Sequence, residues 1–146
     1  MKRTDTRLRL CIVLLVLNLM FIWGNSLLPG EISGALSRWV KELLGIAPGD
    51  PNAGHGLLRK LAHFTEFTCL GLCLQWLHGM RKKPLWRSLR WGIGAACVDE
   101  CIQMFVPDRG PAIKDVLIDT AGVCLGACLL WICIILKLKK CKENIQ

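Results

Sequence analysis

The 146-residue chain has no internal repeat and no low-complexity tract, and it is too short for more than one domain. Acidic residues are scarce, 11 against 19 basic. Cysteine is not scarce, but it lacks the arrangement that would give it a structural job. The nine cysteines are odd in number, all but Cys141 fall in apolar segments, and none form the tight loop clusters of a four-thiolate site. A disulfide framework is therefore not expected, and the cysteines read as small apolar packing residues. The first apolar run is too long for the core of a cleavable leader, and the following "WGNSLLPG" offers no small-x-small site, so it is expected to stay as an uncleaved anchor.

What the chain does have is apolar residues, 53% of the total. They fall in four blocks, residues 8–28, 57–77, 86–106 and 116–136. Each matches the roughly 20 helical residues that cross a hydrocarbon core about 30 Å thick. The first and last are almost purely apolar, and the middle two carry polar residues that need a reason to be there.

The net charge of +8 is unevenly placed. Lys2, Arg3, Arg7 and Arg9 precede the first block. Arg81, Lys82, Lys83, Arg87 and Arg90 lie where the second meets the third. Lys137, Lys139, Lys140 and Lys142 follow the last. These are 13 of the 19 basic residues, accompanied only by Asp5 and Glu143. By the positive-inside rule the N-terminus, the central loop and the C-terminus are cytoplasmic, and residues 29–56 and 107–115 face outward. Basic clusters flanking spans are topology signals, so nucleic acid is not an expected partner. Trp76, Trp86 and Trp131 sit near the cytoplasmic ends of their blocks and Trp23 near the outer end of the first, as in an interfacial aromatic belt.

After Pro29-Gly30, residues 31–46 show helical periodicity. Ile32, Leu36, Trp39 and Leu43 form a stripe with most of the charges off it. This segment is too short and polar to span and is expected to lie in the outer interface. Gly45 and Pro48-Gly49-Asp50-Pro51 end it, and a flexible outer loop runs to Gly56. The expected architecture is all-α: a four-transmembrane-helix bundle with a short outer interfacial amphipathic helix, in one domain over residues 1–146, multi-pass in the cell membrane.

The unusual chemistry lies near the outer ends of the last three spans. His63 and Glu66 are three apart, Asp99 and Gln103 four apart, Glu100 and Gln103 three apart, and Asp115 and Asp119 four apart, so each pair shares a helix face. Asp99 is seven residues from the end of its span, about 10 Å deep at 1.5 Å per residue. An acid at the centre of a membrane helix costs about 2.5–3.5 kcal/mol, and these groups, though shallower, should still turn inward. Small residues continue their faces: Gly122 and Gly126 below Asp119, Gly92 and Ala96 alongside Asp99. Any one of these groups could simply tie two helices together. Six acids (Glu66, Asp99, Glu100, Asp108, Asp115, Asp119), one histidine and one glutamine exceed what four helices need for that. With Arg59, Lys60, Arg109 and Lys114 nearby the local charge stays negative, which suits a divalent cation, a cationic ligand or carboxylates held partly protonated. Arg59, Lys60 and Arg109 at the rim suit a phosphate or carboxylate.

At these residues the sequence resembles the VanZ-like family of bacterial membrane proteins. The stretches are "RKLAHFTEF" at 59–67 and "DECIQMFVPDRGPAIKDVLIDTAGVCLG" at 99–126, with a looser match in "FIWGNSLLPGEISGALSRWV" at 21–40, where Asn25, Ser26, Ser33 and Ser37 hold polar positions. The resemblance implies that His63, Glu66, Asp99, Glu100, Gln103, Pro107, Arg109, Asp115 and Asp119 are the family's recurring polar positions. Phe67 stands where a tyrosine is expected and Asp108 where a glycine is common. The family's namesake is associated with low-level teicoplanin resistance, a phenotype rather than a reaction.

Three functions follow as expectations. The first is a resistance or envelope-maintenance protein whose outward polar pocket binds a cell-wall precursor or a lipid head group in the bilayer. In it Arg59, Lys60 and Arg109 contact the anionic group, and Gln103, Asp115 and Asp119 complete the pocket. The second is a metal-assisted hydrolase or transferase acting on a lipid-linked substrate, with His63, Glu66, Asp99 and Glu100 as ligands or general acid/base groups. The third is a structural partner that forms helix–helix oligomers through the Gly122/Gly126 face. No motif has an established catalytic spacing, His-x-x-Glu alone being a weak metal signal, so the first is preferred. Whether a reaction is catalysed, and with which cofactor or metal, is not determined by the sequence.

Overall fold

A computed structural model describes residues 2–43, 45, 55–110 and 112–144. The described residues are all-helical, in five helices with no strand: α1 Lys2–Ser26, α2 Gly30–Leu43, α3 His55–Met80, α4 Leu85–Gln103 and α5 Ile113–Glu143. The expected loop through residues 46–54 lies outside the described residues, as does Pro111.

Two of these helices are long and apolar enough to cross a membrane, over Asp5–Ser26 and Ile113–Cys141. Only 11% and 22% of their most apolar windows is buried. That separates them from the core helix of a water-soluble domain, whose apolar surface is hidden. Helix α3 is long enough as well, and α4 with 19 residues rises about 28 Å. Their sequences are more polar because they carry Arg59, Lys60, His63 and Glu66, and Arg87, Arg90, Asp99 and Glu100 respectively.

The packing is inverted relative to a water-soluble protein. Leu10, Val13, Leu17, Met20, Trp91, Val98, Leu117, Leu129 and Ile132 are exposed, while Ser26, Gln75, Ser88, Asp99, Gln103 and Asp119 are almost wholly buried. An aqueous protein would pay heavily for such an exterior and such an interior. In a bilayer the exterior costs nothing and the polar groups are driven together.

Small residues set the helix spacing. An added Cβ at Gly126 would overlap the backbone of Thr68, and one at Gly71 the backbone of Val123. At Gly122 it would meet the Phe64 carbonyl oxygen at 2.5 Å, and at Gly92 the side chain of Val123. The Gly122/Gly126 face is thus packed against α3 of the same chain, and the expected close-packing face is used inside the fold. On α4 the buried residues Gly92, Ala96, Asp99 and Gln103 form the face expected from the sequence, joined by Ser88 and Glu100.

Several ends differ from expectation: α3 starts at His55, inside the expected loop, and runs on to Met80, and α2 stops by Leu43 with Gly45 already in a turn. The first helix stops at Ser26 rather than Leu28, and α4 stops at Gln103, three residues short of Val106. Past Gln103 the chain tightens: Phe105 N–H donates to the Ile102 carbonyl at 3.1 Å and Val106 N–H to the Gln103 carbonyl at 3.2 Å. These short-range bonds end the helix ahead of Pro107, which has no N–H to continue it.

Helix α2 starts against the 107–110 turn, where Gly30 N–H donates to the Pro107 carbonyl at 3.3 Å. A Cβ at Gly30 would come within 2.6 Å of the Asp108 carbonyl oxygen. The α2 stripe of Ile32, Leu36, Trp39 and Leu43 is exposed along its length, and no described residue of α2 is buried.

Asp108 has φ +57°, a left-handed conformation that would suit the glycine the VanZ-like resemblance leads one to expect there. Aspartate visits this left-handed region with little penalty, whereas a β-branched residue does not. Asp108→Val should therefore destabilise the protein by about 1–2 kcal/mol, and Asp108→Gly should change it by less than about 1 kcal/mol. Thermal unfolding in detergent checks both. Equal melting temperatures for the valine and glycine variants would contradict the turn geometry.

Candidate functional site

Four helices deliver polar side chains to one end of the bundle. Helices α3 and α5 both begin there, while α1 and α4 end there. The inner group is His63 on α3, Asp99 on α4 and Asp119 on α5, all buried. His63 Nδ1 lies 3.6 Å from Asp119 Oδ1 and 3.7 Å from Asp99 Oδ2. One ligand atom from each residue falls within 4.8 Å of the others. The Phe67 ring stacks on the imidazole at 6.4 Å between centroids with a 14° tilt. Phe67 is itself fully buried, so the position expected to hold a tyrosine serves as an apolar wall.

Gln103, one turn along α4 from Asp99, donates Nε2 to Asp99 Oδ2 at 2.8 Å and to Ser26 Oγ at 3.4 Å. That fixes the Asp99 carboxylate and ties α4 to the end of α1. Much of the group's remaining polar capacity is unused among the described residues. His63 Nδ1, Asp99 Oδ1 and both carboxylate oxygens of Asp119 have no hydrogen-bond partner. Such buried vacancies are uncommon in folded proteins.

The other expected site residues flank this group. Glu66 turns toward α1, where Oε1 accepts from Asn25 Nδ2 at 3.0 Å and its backbone carbonyl from Asn18 Nδ2 at 3.5 Å. Glu100 turns toward the start of α5, where Oε2 accepts from Ala112 N–H at 2.7 Å. A carboxylate there satisfies a free N–H and complements the positive helix end, so Glu100 has a capping role beside any other. Arg59 pairs with Asp115 at 3.3 Å on the rim. A narrow cleft lined by Arg59, Lys60, His63, Asp115, Ile118 and Asp119 has room for about one water-sized sphere, about 10 Å³, and leads to the inner group.

Arg109, in the turn between α4 and α5, donates Nη2 to the Asn25 carbonyl at 3.4 Å, while its Nε and Nη1 have no hydrogen-bond partner. Burial pushes its guanidinium below its ordinary pKa, and Arg59 adds to the effect. A guanidinium stays charged through such a shift.

Residues 9–136 match the VanZ/LLP1 family. The chain belongs to that family. No curated protein and no solved structure matches it. Family and helix composition together make this a membrane protein. Every polar position of the VanZ-like resemblance that carries a charged side chain lies at this one end of the bundle.

Sequence reasoning gave no role to Asn25 and Ser26, which prove to be the α1 partners of Glu66, Arg109 and Gln103. Their place in the looser VanZ-like stretch was the available signal. It also passed over a second buried network at the opposite end, where Ser88 Oγ donates to Gln75 Oε1 at 2.7 Å and lies 3.0 Å from His78 Nδ1. Gln75 and Ser88 are polar residues inside apolar runs, and that was the cue. Between α1, α3 and α4 runs an apolar groove of about 450 Å³, lined by Leu19, Trp23, Leu70, Leu74 and Val98 among others. Its upper wall adjoins the polar end, since Leu70 is one turn from Glu66 and Val98 precedes Asp99.

Proposed function

We propose that α1, α3, α4 and α5 all span the cell membrane, with N- and C-termini in the cytoplasm and the polar cluster at the outer face. There the cluster binds the anionic group of a cell-wall precursor or envelope lipid. Through it the protein contributes to teicoplanin-type glycopeptide resistance or to envelope maintenance. The topology rests on the clustering of basic residues at the ends opposite the site. The function rests above all on one observation: Arg59, His63, Asp99, Gln103, Arg109, Asp115 and Asp119 meet at one end of the bundle, with two guanidiniums at its edge and buried polar atoms left unpaired. Arg109 Nε and Nη1 have no acceptor among the described residues, and such charged N–H donors favour a phosphate or carboxylate. The apolar groove beside the cluster favours a ligand carrying a hydrocarbon chain over a soluble wall fragment.

A short-chain phosphatidylglycerol tests this against the zwitterionic phosphatidylcholine of equal chain length, using native mass spectrometry of the full chain. The anionic lipid should be retained preferentially. Arg109→Gln and Arg59→Gln should each weaken it about 10- to 150-fold, as expected for a lost charge-assisted contact of about 1.5–3 kcal/mol. Equal retention of the two lipids, or wild-type retention by both variants, would sink the proposal.

A further inference from the structure

We infer that His63, Asp99 and Asp119 form a binding site for one first-row divalent metal ion of the Zn²⁺ type. This deepens the function proposed above, because the ion would sit behind the arginine rim and share an anionic ligand with it.

The distances carry the argument. The imidazole nitrogen is 3.6 and 3.7 Å from one oxygen of each carboxylate, and the three ligand atoms lie within 4.8 Å of one another. That is too long for good hydrogen bonds. It is close to the roughly 3.4 Å that separates neighbouring ligands around a tetrahedral ion with bonds of about 2.0–2.1 Å. The vacancies agree. His63 Nδ1 and both Asp119 oxygens are buried in side chains at most 7% exposed, and none has a hydrogen-bond partner among the described residues. Groups that only tied helices together would be expected to close these 3.6 and 3.7 Å ion pairs to hydrogen-bond length.

The donor set points to the class of ion. One imidazole and two carboxylates suit a borderline transition ion better than Ca²⁺ or Mg²⁺, which favour all-oxygen shells. Two carboxylates with a neutral imidazole also match the charge of a divalent ion. Three protein ligands leave a fourth position, and the narrow cleft past Arg59, Lys60 and Asp115 provides an entry path. The outer support is present too: Gln103 donates at 2.8 Å to Asp99 Oδ2, the oxygen that faces His63, and so fixes the carboxylate. The sequence offered His63, Glu66, Asp99 and Glu100 as candidate ligands, but Glu66 is engaged with Asn25 on α1 and Glu100 with the Ala112 N–H. The third ligand comes instead from α5, 56 residues beyond His63.

The test uses the full chain in lipid nanodiscs, stripped with chelator and titrated with Zn²⁺, then with Co²⁺ as a visible-absorption probe. Wild-type protein should bind one Zn²⁺, melt at a higher temperature with it, and show the Co²⁺ bands of a low-coordinate N/O site. Asp119→Asn should lose binding. Gln103→Leu, which leaves all three ligands in place but removes the support of Asp99 and the tie to Ser26, should weaken it about 10- to 100-fold. Absence of Zn²⁺ binding to the wild type, equal affinity for Mg²⁺, or unchanged binding in a folded Asp119→Asn variant would each overturn the assignment. Phosphatidylglycerol retention is measured on the same wild-type sample. If Zn²⁺ fails while the anionic lipid still binds, the metal site falls and the proposed function stands. If Zn²⁺ binds while the lipid does not, the proposed function falls and the metal site stands.

Discussion

Gly126→Leu should prevent the bundle from assembling, at a cost of at least about 3 kcal/mol, the upper end for overpacking. A side chain at this position on α5 meets backbone of α3, Thr68 and Leu72, rather than a flexible side chain that could move aside. Gly122 and Gly71 make the same kind of contact from either helix. Relief would require α3 and α5 to separate along most of their shared length, which would also pull His63 away from Asp119. Gly94, with nothing within 4 Å of its added Cβ, is the control: Gly94→Leu should leave the fold intact. Thermal melting with size-exclusion profiles in detergent reads both. A Gly126→Leu variant that melts like the wild type would contradict the close approach of α3 and α5.

His63→Leu should destabilise the protein by about 3–5 kcal/mol, the usual result of removing one partner from a buried charged group. It would leave Asp99 and Asp119, both fully buried, with no positive or metal-bearing partner between them. Replacing all three residues with leucine should return most of that stability, because a buried ionic group is often exchanged for well-packed apolar side chains without loss. In a membrane the exchange is easier still, since leucine faces no penalty there. The pair of variants therefore separates two roles. If the triad only ties helices together, the triple-leucine protein should be both stable and active. If the triad is the working site, the protein should be stable and inactive.

The sequence told more about faces than about partners. Periodicity and the cost of burying charge were enough to place Asp99, Gln103 and Asp119 on inward faces, because an acid in hydrocarbon has so few alternatives. The apolar stripe of α2 with its charges off it was enough to foresee the short amphipathic helix. What the sequence did not reveal was which acids meet. His63 has Glu66 one turn away on its own helix, yet its neighbours are Asp99 and Asp119, because Gly122 and Gly126 let α5 lie close against the α3 backbone beside it. Glu100 looked equivalent to Asp99, but one residue turns a helix by about 100°, as 3.6 residues per turn requires, and that points it at the start of α5 instead. The helix ends at Ser26 and Gln103 depended on turn hydrogen bonds that hydropathy does not encode.

The most direct measurement is teicoplanin tolerance in a susceptible bacterium expressing either the wild-type chain or the variant with His63, Asp99 and Asp119 all changed to leucine, at matched amounts in the membrane. Wild-type protein should raise tolerance, and the triple variant, folded and inserted, should give none. Full protection by the triple variant would show that the buried histidine and aspartates do no more than hold the helices together.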